Sequence, residues 1–244
     1  SEFRYSDPLV DENSLIIIIS QSGETADSLA ALREAQRQGN KVLAIVNVVG
    51  STIAREADYV YYTMAGPEIA VATTKAYATQ LIASFLWAIH FAQVRGNLDQ
   101  EQVEAKLRSL MALPDQIARV LEDKERIQWF ASKYASAQDV FFIGRGVDYA
   151  VSMEGSLKLK EIAYLHSEAY PAGELKHGPI SLIQEGTLVL ALVTTAELID
   201  KTMANVREVQ ARGADVLCIT LEDFAQQAMQ QCPQCIAVPA VHPM

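Results

Sequence analysis

Continuous runs of apolar residues alternate along the chain with amphipathic helical segments. Runs of this kind, without a regular apolar–polar alternation, are typical of parallel strands buried on both faces of a sheet. The helical segments between them predict an α/β fold in which helices cover the sheet. The predicted strands are residues 15–20, 42–47, 59–63, 140–143, 188–193 and 216–220.

Two long segments of the chain resemble each other. LIIIISQSGETADSLAALREAQRQGNKVLAIV and LVLALVTTAELIDKTMANVREVQARGADVLCI both read as strand, hydroxyl-bearing loop, helix, glycine and strand. An offset of 174 residues carries Ile19 onto Val193 and Gly39 onto Gly213. Self-similarity at a fixed offset indicates a duplicated domain.

The repeat also predicts which parts each copy lacks. VFFIGRG, residues 140–146, precedes the second copy, and the offset places its counterpart before residue 1. A long helix at about 74–93 follows the first copy, and its counterpart falls beyond residue 244. We expect a first domain at 1–95 without its opening strand, a helical connector at 96–135 broken near Pro114, and a second domain at 136–244 without its closing helix and tail.

Composition narrows the class of protein. The chain has 244 residues, is 50% apolar and carries a net charge of −10, which argues against a nucleic-acid surface. The most apolar helical stretch, residues 81–94, is too short to span a membrane, and no signal peptide is visible at the N-terminus.

The three cysteines, Cys218, Cys232 and Cys235, do not form a disulfide framework, so we expect a cytoplasmic protein. The CxxC at 232–235 precedes an apolar run, and a structural role is favoured over a redox role.

The first repeated loop, SQSGET at residues 20–25, has the chemistry of an anion site. Backbone N–H groups at a helix N-terminus are unpaired and favour negative charge. Ser20, Ser22 and Thr25 add hydroxyl donors, and Gly23 permits close approach. Glu24 disfavours a phosphate unless it points away or caps the helix that follows the loop, and Ser20 or Ser22 as the cap of that helix is the plainer alternative. The second copy has TTAE here, with fewer donors, and still begins a helix, so we favour a phosphate site.

A second region, EGSLKLKEIAYLHSEAYPAGELKHGP at residues 154–179, carries titratable groups. Lys158 and Glu161 share a helix face that is largely apolar, and we expect a partly buried pair able to move protons rather than a surface ion pair. His177 lies in GELKHGP, which is predicted to be a loop, and is either an acid–base group or structural. His166 is interpreted as a core histidine. No residues have credible metal-ligand spacing, and GRG at 144–146 predicts a tight turn rather than a dinucleotide site.

Five motifs together carry a family resemblance. SQSGETADSLAAL, VATTKAYATQL, GRG, EGSLKLKEIAYLHSEAY and GELKHGP, in this order, resemble the isomerase half of the glutamine–fructose-6-phosphate aminotransferases, the glucosamine-6-phosphate synthases. The resemblance covers nearly the whole chain and implies two tandem SIS (sugar-isomerase) domains, each a three-layer αβα sandwich with a parallel sheet. It implies that fructose 6-phosphate and glutamine-derived ammonia give glucosamine 6-phosphate, with no metal or redox cofactor.

The resemblance also implies roles for individual residues. Glu161 would move the proton between C1 and C2, Lys158 would assist, and His177 would open the sugar ring from the other subunit of a homodimer. Thr73 stands where the family pattern has serine. The residues implied to hold the phosphate and contact the sugar are Ser20, Gln21, Ser22, Thr25, Val71 and Thr73.

The family's glutaminase domain, its first strand and its tail lysine, which forms a Schiff base with the substrate, have no counterpart in this sequence. We therefore expect the 244 residues alone to be inactive, with the glutaminase domain as a partner within a parent chain. Two alternatives remain open. One is a stand-alone SIS deaminase or deglycase acting on a sugar phosphate. The other is a non-catalytic SIS module that binds a phosphosugar and leaves Glu161, Lys158 and His177 without a role.

Overall fold

The computed structural model describes residues 2–6 and 8–241. The chain divides into two compact units, the first extending to Lys106 and the second beginning at Leu107. Each unit is built on a parallel sheet, which confirms the predicted α/β class. Within the described ranges no helix combines the length and the apolar character needed to cross a lipid bilayer.

The first unit contains a parallel sheet in the order β1-β2-β3. Helix α2 contributes Leu32 and Ala35 to the apolar cluster on one face, together with Ala44 of β2. On the other face Trp87 of α4 meets Tyr61 of β3 edge-on, with ring centroids 6.0 Å apart. The elements are α1 (Glu2–Tyr5), β1 (Leu15–Ser20), α2 (Ala26–Arg37), β2 (Lys41–Val46), α3 (Thr52–Glu56), β3 (Tyr59–Tyr62) and α4 (Lys75–Val94).

The connecting region is helical, but the break between its two helices does not lie near Pro114, where it was expected. Helix α5 (Gln100–Glu122) continues through Pro114, and α6 (Lys124–Lys133) follows Asp123. A proline removes one helical hydrogen bond, to the carbonyl four residues earlier, and the helix continues past it here. The prediction of a break near Pro114 is therefore wrong. The helix is interrupted at Asp123, whose ψ of 26° departs from helical geometry.

The second unit contains five parallel strands in the order β5-β4-β6-β7-β8. Met203 and Val206 of α8 join the core on one face of this sheet, and Leu159 of α7 packs on the other. Its elements are β4 (Asp139–Gly144), α7 (Val147–Ala163), β5 (His166–Pro171), β6 (Leu188–Val193), α8 (Ile199–Gln210), β7 (Asp215–Leu221), α9 (Ala225–Gln231) and β8 (Cys235–Val238). Short 3₁₀ helices lie at Ala172–His177, Pro179–Leu182, Ala196–Leu198 and Glu222–Phe224.

All six predicted strands are present, with ends that differ by at most one residue. Strands β5 and β8 were not predicted. The sequence of β5, HSEAYP, is largely polar because β5 lies at the edge of the sheet, where only Ser167 is fully buried. Strand β8 has four residues and begins at the last cysteine of the CxxC motif, so it gives little periodic signal.

The expectation that the strands are buried on both faces is wrong for β1. Leu15, Ile17 and Ile19 are 40, 44 and 47% exposed, whereas Ile18 belongs to the core beneath α2. Successive side chains of a strand point to opposite faces. Strand β1 is at the edge of its sheet, and the helix layer on the α4 side leaves its alternate residues uncovered.

The strand registers show that the offset between the two copies differs by one residue from the predicted 174 at the first strand. Ile16 pairs with Val42 in the first sheet, as Val189 pairs with Val216 in the second. Strand β1 therefore corresponds to β6 at an offset of 173, while β2 corresponds to β7 at 174. A shift of one residue exchanges the two faces of a strand. The uniform offset of 174 is thus wrong for β1, and the second copy has one additional residue between its two strands.

Candidate functional site

The loop of residues 20–25 connects the carboxyl end of β1 to α2. The Ser20 hydroxyl accepts a hydrogen bond from the Gly23 N–H at 3.0 Å, and the Ser22 hydroxyl accepts one from the Glu24 N–H at 3.2 Å. The N-cap of α2 is Thr25, whose side chain makes no capping hydrogen bond. The alternative in which Ser20 or Ser22 caps α2 is therefore wrong.

Several donors of this loop have no acceptor within the described part of the chain. They include the backbone N–H groups of Gln21, Ser22 and Thr25. Ser22 and Thr25 are also exposed, so their hydroxyls are accessible to a ligand. Unpaired N–H groups before a helix, accompanied by hydroxyls, form the kind of concave donor set that binds a phosphate.

The carboxylate of Glu24 is engaged away from these donors. Its Oε1 accepts a hydrogen bond from the Thr52 N–H at 2.7 Å, at the first residue of α3. This bond is the main reason that the pKa of Glu24 lies below its ordinary value of 4.5. Glu24 therefore caps a neighbouring helix, which removes the objection that its charge raises against a phosphate in the loop.

Ser51, which no sequence motif marked as part of the site, packs against this loop. Its side chain is 2% exposed, and its hydroxyl has no hydrogen-bond partner among the described residues. A Cβ atom at Gly23 would lie 2.1 Å from the Ser51 Oγ, and Gly23 adopts a φ of +65°. The sequence does contain a signal for Ser51. Gly50 and Ser51 lie between the buried strand β2 and helix α3, at the strand end where a ligand-binding loop is expected.

The two residues implied to contact the sugar, Val71 and Thr73, lie in the segment before α4. Val71 is 97% exposed and Thr73 is half-buried. No hydrogen bond between described residues joins either of them to the loop of residues 20–25. Their contact with a sugar stays a prediction.

In the second unit, Lys158 and Glu161 form an ion pair on α7. The Lys158 Nζ lies 2.5 Å from the Glu161 Oε2, and the two side chains are 20 and 34% exposed, so the expected partly buried pair is present. The hydrogen bond to Glu161 raises the pKa of Lys158, and burial opposes that rise. Glu154, one helical turn earlier, lies 3.6 Å from the same Nζ. Its i, i+4 spacing to Lys158 could have revealed this second carboxylate.

His177 ends a 3₁₀ helix, Ala172–His177, where a loop was predicted. The helix is bounded by Pro171 and by Gly178, whose φ of +144° ends it. The His177 side chain is 64% exposed, and its Nε2 lies 4.0 Å from the Glu174 Oε2. No described hydrogen bond or ion pair joins His177 to the Lys158–Glu161 pair within this unit.

Two other sequence interpretations have clear structural outcomes. His166 is not a core histidine: its side chain is 60% exposed and its Nδ1 lies 2.6 Å from the Asp139 Oδ1, because β5 is an edge strand. Cys232 and Cys235 are buried free thiols, and burial raises the pKa of Cys232 to about 11. Over residues 2–6 and 8–241, no three His, Cys, Asp or Glu side chains are arranged to hold a metal ion.

Comparison with known proteins gives concordant matches. A family model described as SIS domain matches residues 1–89 and 133–240. Glutamine–fructose-6-phosphate aminotransferase (isomerizing) of Clostridium tetani is 57% identical over 91% of this chain, and that of Thermus thermophilus is 47% identical over 100% of it. The chain spans only 36% and 40% of the length of these two relatives. The C-terminal domain of glucosamine-fructose-6-phosphate aminotransferase from Francisella tularensis superposes with a TM-score of 0.94 at 36% identity, over 99% of this chain and 68% of that chain.

Proposed function

The chain belongs to the SIS domain family, and from this we propose that it is the isomerase portion of a glutamine–fructose-6-phosphate aminotransferase. In this proposal it converts fructose 6-phosphate and ammonia, released from glutamine by another domain of the parent protein, into glucosamine 6-phosphate. The observation that carries the proposal is the donor set of residues 20–25, which has N–H groups unpaired among the described residues and whose one carboxylate, Glu24, is bound to Thr52.

The phosphate of the sugar would be bound at this loop. The N–H groups of Gln21 and Ser22 and the hydroxyls of Ser22 and Thr25 supply donors, and the carboxylate of Glu24 is bound to the Thr52 N–H. A site made of N–H and hydroxyl groups at a helix N-terminus is suited to a phosphate dianion, because the helix dipole adds to the hydrogen bonds.

The isomerisation step needs a group that takes a proton from C1 of the sugar and returns one to C2. Glu161 suits this role because its side chain is partly exposed, while Lys158 holds one carboxylate oxygen at 2.5 Å and fixes its orientation. His177 is largely exposed, and its Nε2 lies 4.0 Å from the Glu174 Oε2. These properties support the assignment of His177 to ring opening, at the site of a second subunit.

We also propose a cytoplasmic homodimer. The exposed position of His177 and the exposed apolar side chains of α7, among them Val147 and Ile162 at 73 and 61%, support an interface on this unit. The free thiols support a reducing compartment. A sedimentation mass equal to that of a single chain would contradict the dimer.

A segment exchange tests the proposed reaction. In the hybrid, the 244 residues replace the aligned segment of the Thermus thermophilus relative. The alignment covers all of this chain and 40% of the relative. The hybrid should form glucosamine 6-phosphate from fructose 6-phosphate and glutamine at no less than about one tenth of the parental rate, a loss of at most about 1.4 kcal/mol in transition-state stabilisation. A hybrid that folds, hydrolyses glutamine and makes no amino sugar would contradict the proposal.

Binding of the phosphate makes a separate prediction for the chain by itself. Fructose 6-phosphate should raise its melting temperature and fructose should not, since a ligand that binds only the folded state stabilises it by mass action. Ser22→Ala removes one hydroxyl donor and should weaken binding by about tenfold, the equivalent of one hydrogen bond to a charged group. Equal responses to both sugars, or an unchanged affinity in Ser22→Ala, would show that the loop is not the phosphate site.

A further inference from the structure

Asp148 is a buried carboxylate whose hydrogen-bond donors are all neutral. It lies in the first turn of α7 and is 3% exposed. Its Oδ2 accepts the N–H groups of Thr194 and Thr195 at 2.9 and 3.2 Å, and its Oδ1 accepts the Thr194 hydroxyl. Among the described residues, no lysine, arginine or histidine forms an ion pair with it. A buried charge of this kind is tolerated only where such donors compensate it.

The backbone N–H groups that bind Asp148 are the second domain's counterparts of the N–H groups that form the proposed phosphate site in the first domain. The structural offset of 173 between β1 and β6 carries Gln21 onto Thr194 and Ser22 onto Thr195. In the first copy these two backbone N–H groups have no acceptor within the described residues. In the second copy the same two groups both bind the Asp148 carboxylate.

We propose that Asp148 fills the anion-binding loop of the second domain and thereby confines phosphosugar binding to the first domain. The inference rests on the proposed function only in assigning the phosphate to residues 20–25. A phosphate at Thr194 and Thr195 would meet donors that are already paired and a negative charge in contact with them. Asp148 is thus a specificity-determining residue, and its removal exposes a latent site for a carboxylate or a phosphate.

The alternative is that Asp148 only anchors the start of α7 to the loop after β6, with no bearing on anions. Both interpretations expect a loss of stability in Asp148→Ala. Only the proposal expects that an added anion takes the place of the missing carboxylate. Anion binding at this loop therefore separates the two, whereas stability alone does not.

The experiment follows the backbone amide resonances of Thr194 and Thr195 during a titration of the chain with inorganic phosphate, at constant ionic strength set with chloride. In Asp148→Ala both amides should shift and saturate, with an affinity at least about ten times that of the unchanged chain. Asp148→Asn keeps an oxygen at the same place and should show no such shift. Asp200→Ala is a matched control, since it removes an exposed carboxylate from the first turn of α8.

The results for Asp148→Ala and Asp200→Ala determine whether Asp148 excludes anions from the second loop. Folded Asp148→Ala without saturable shifts at Thr194 and Thr195 overturns the proposal, as does an equal response in Asp200→Ala. If Asp148→Ala unfolds, acetate or phosphate should restore its folded spectrum where chloride does not, and failure of that rescue also overturns it. The Ser22 amide reports the first loop in the same spectra, so a failure of the proposed phosphate site is seen separately.

Discussion

Glu161→Gln in the segment-exchange hybrid is expected to lower the turnover of fructose 6-phosphate by about 10²–10⁴-fold, the usual contribution of a general base. Glutamine keeps the size of the side chain and an oxygen for the Lys158 ammonium, which lies 2.5 Å from the native carboxylate. The variant loses only the ability to accept and return a proton. Binding of fructose 6-phosphate, measured at equilibrium, should therefore be nearly unchanged while turnover falls.

The matched control is Glu154→Gln on the same helix. Glu154 lies on the other side of Lys158, at 3.6 Å, so this change removes an equal charge from the surroundings of the same ammonium. Its effect should stay within about threefold, as is usual for a partly exposed ion pair. An equal loss in both variants would mean that the charge balance around Lys158, and not proton transfer by Glu161, limits the reaction. Normal turnover in Glu161→Gln would remove Glu161 from the mechanism.

The strands could be predicted because their signal is local. A buried parallel strand needs a continuous apolar run, and the runs at β1 and β6 mark their ends to the residue. Strand β5 gives no such signal, since an edge strand pairs through its backbone on one side only and tolerates HSEAYP. The exposure of Ile17 and Ile19 was also out of reach, because burial depends on which helices cover a face and not on the strand itself.

The candidate site was predictable to the extent that its chemistry lies in one short segment. The donor-rich loop and the three-residue spacing of Lys158 and Glu161 are both evident from short contiguous segments of the sequence. The bond from Thr52 to Glu24 joins groups 28 residues apart, and the bonds from Thr194 and Thr195 to Asp148 join groups 46 and 47 apart. Such pairs are set by which strand ends meet at one edge of the sheet, so no local pattern contains them.

Gly23→Ala is expected to remove most phosphosugar binding and to destabilise the first unit by about 2–5 kcal/mol. The added Cβ would lie 2.1 Å from the Oγ and 2.7 Å from the Cβ of Ser51, which is buried, and the φ of +65° is unfavourable for alanine. The loop has to move, and its hydrogen bonds from Gly23 to Ser20 and from Ile53 to Gly23 move with it. Thermal unfolding and titration with fructose 6-phosphate measure the two effects.

Two further variants separate the steric cause from the backbone cause. Gly39 has a φ of +86° with nothing within 4 Å of its would-be Cβ, so Gly39→Ala carries the cost of the left-handed conformation, about 1–2 kcal/mol, without a clash and should keep phosphosugar affinity. Adding Ser51→Gly to Gly23→Ala removes both clashing atoms and should restore most of the affinity, leaving only the cost of the positive φ. If Gly39→Ala weakens binding as much as Gly23→Ala, the loss reflects general destabilisation. If the double variant stays as defective as Gly23→Ala alone, contact with Ser51 is not what requires glycine at this position.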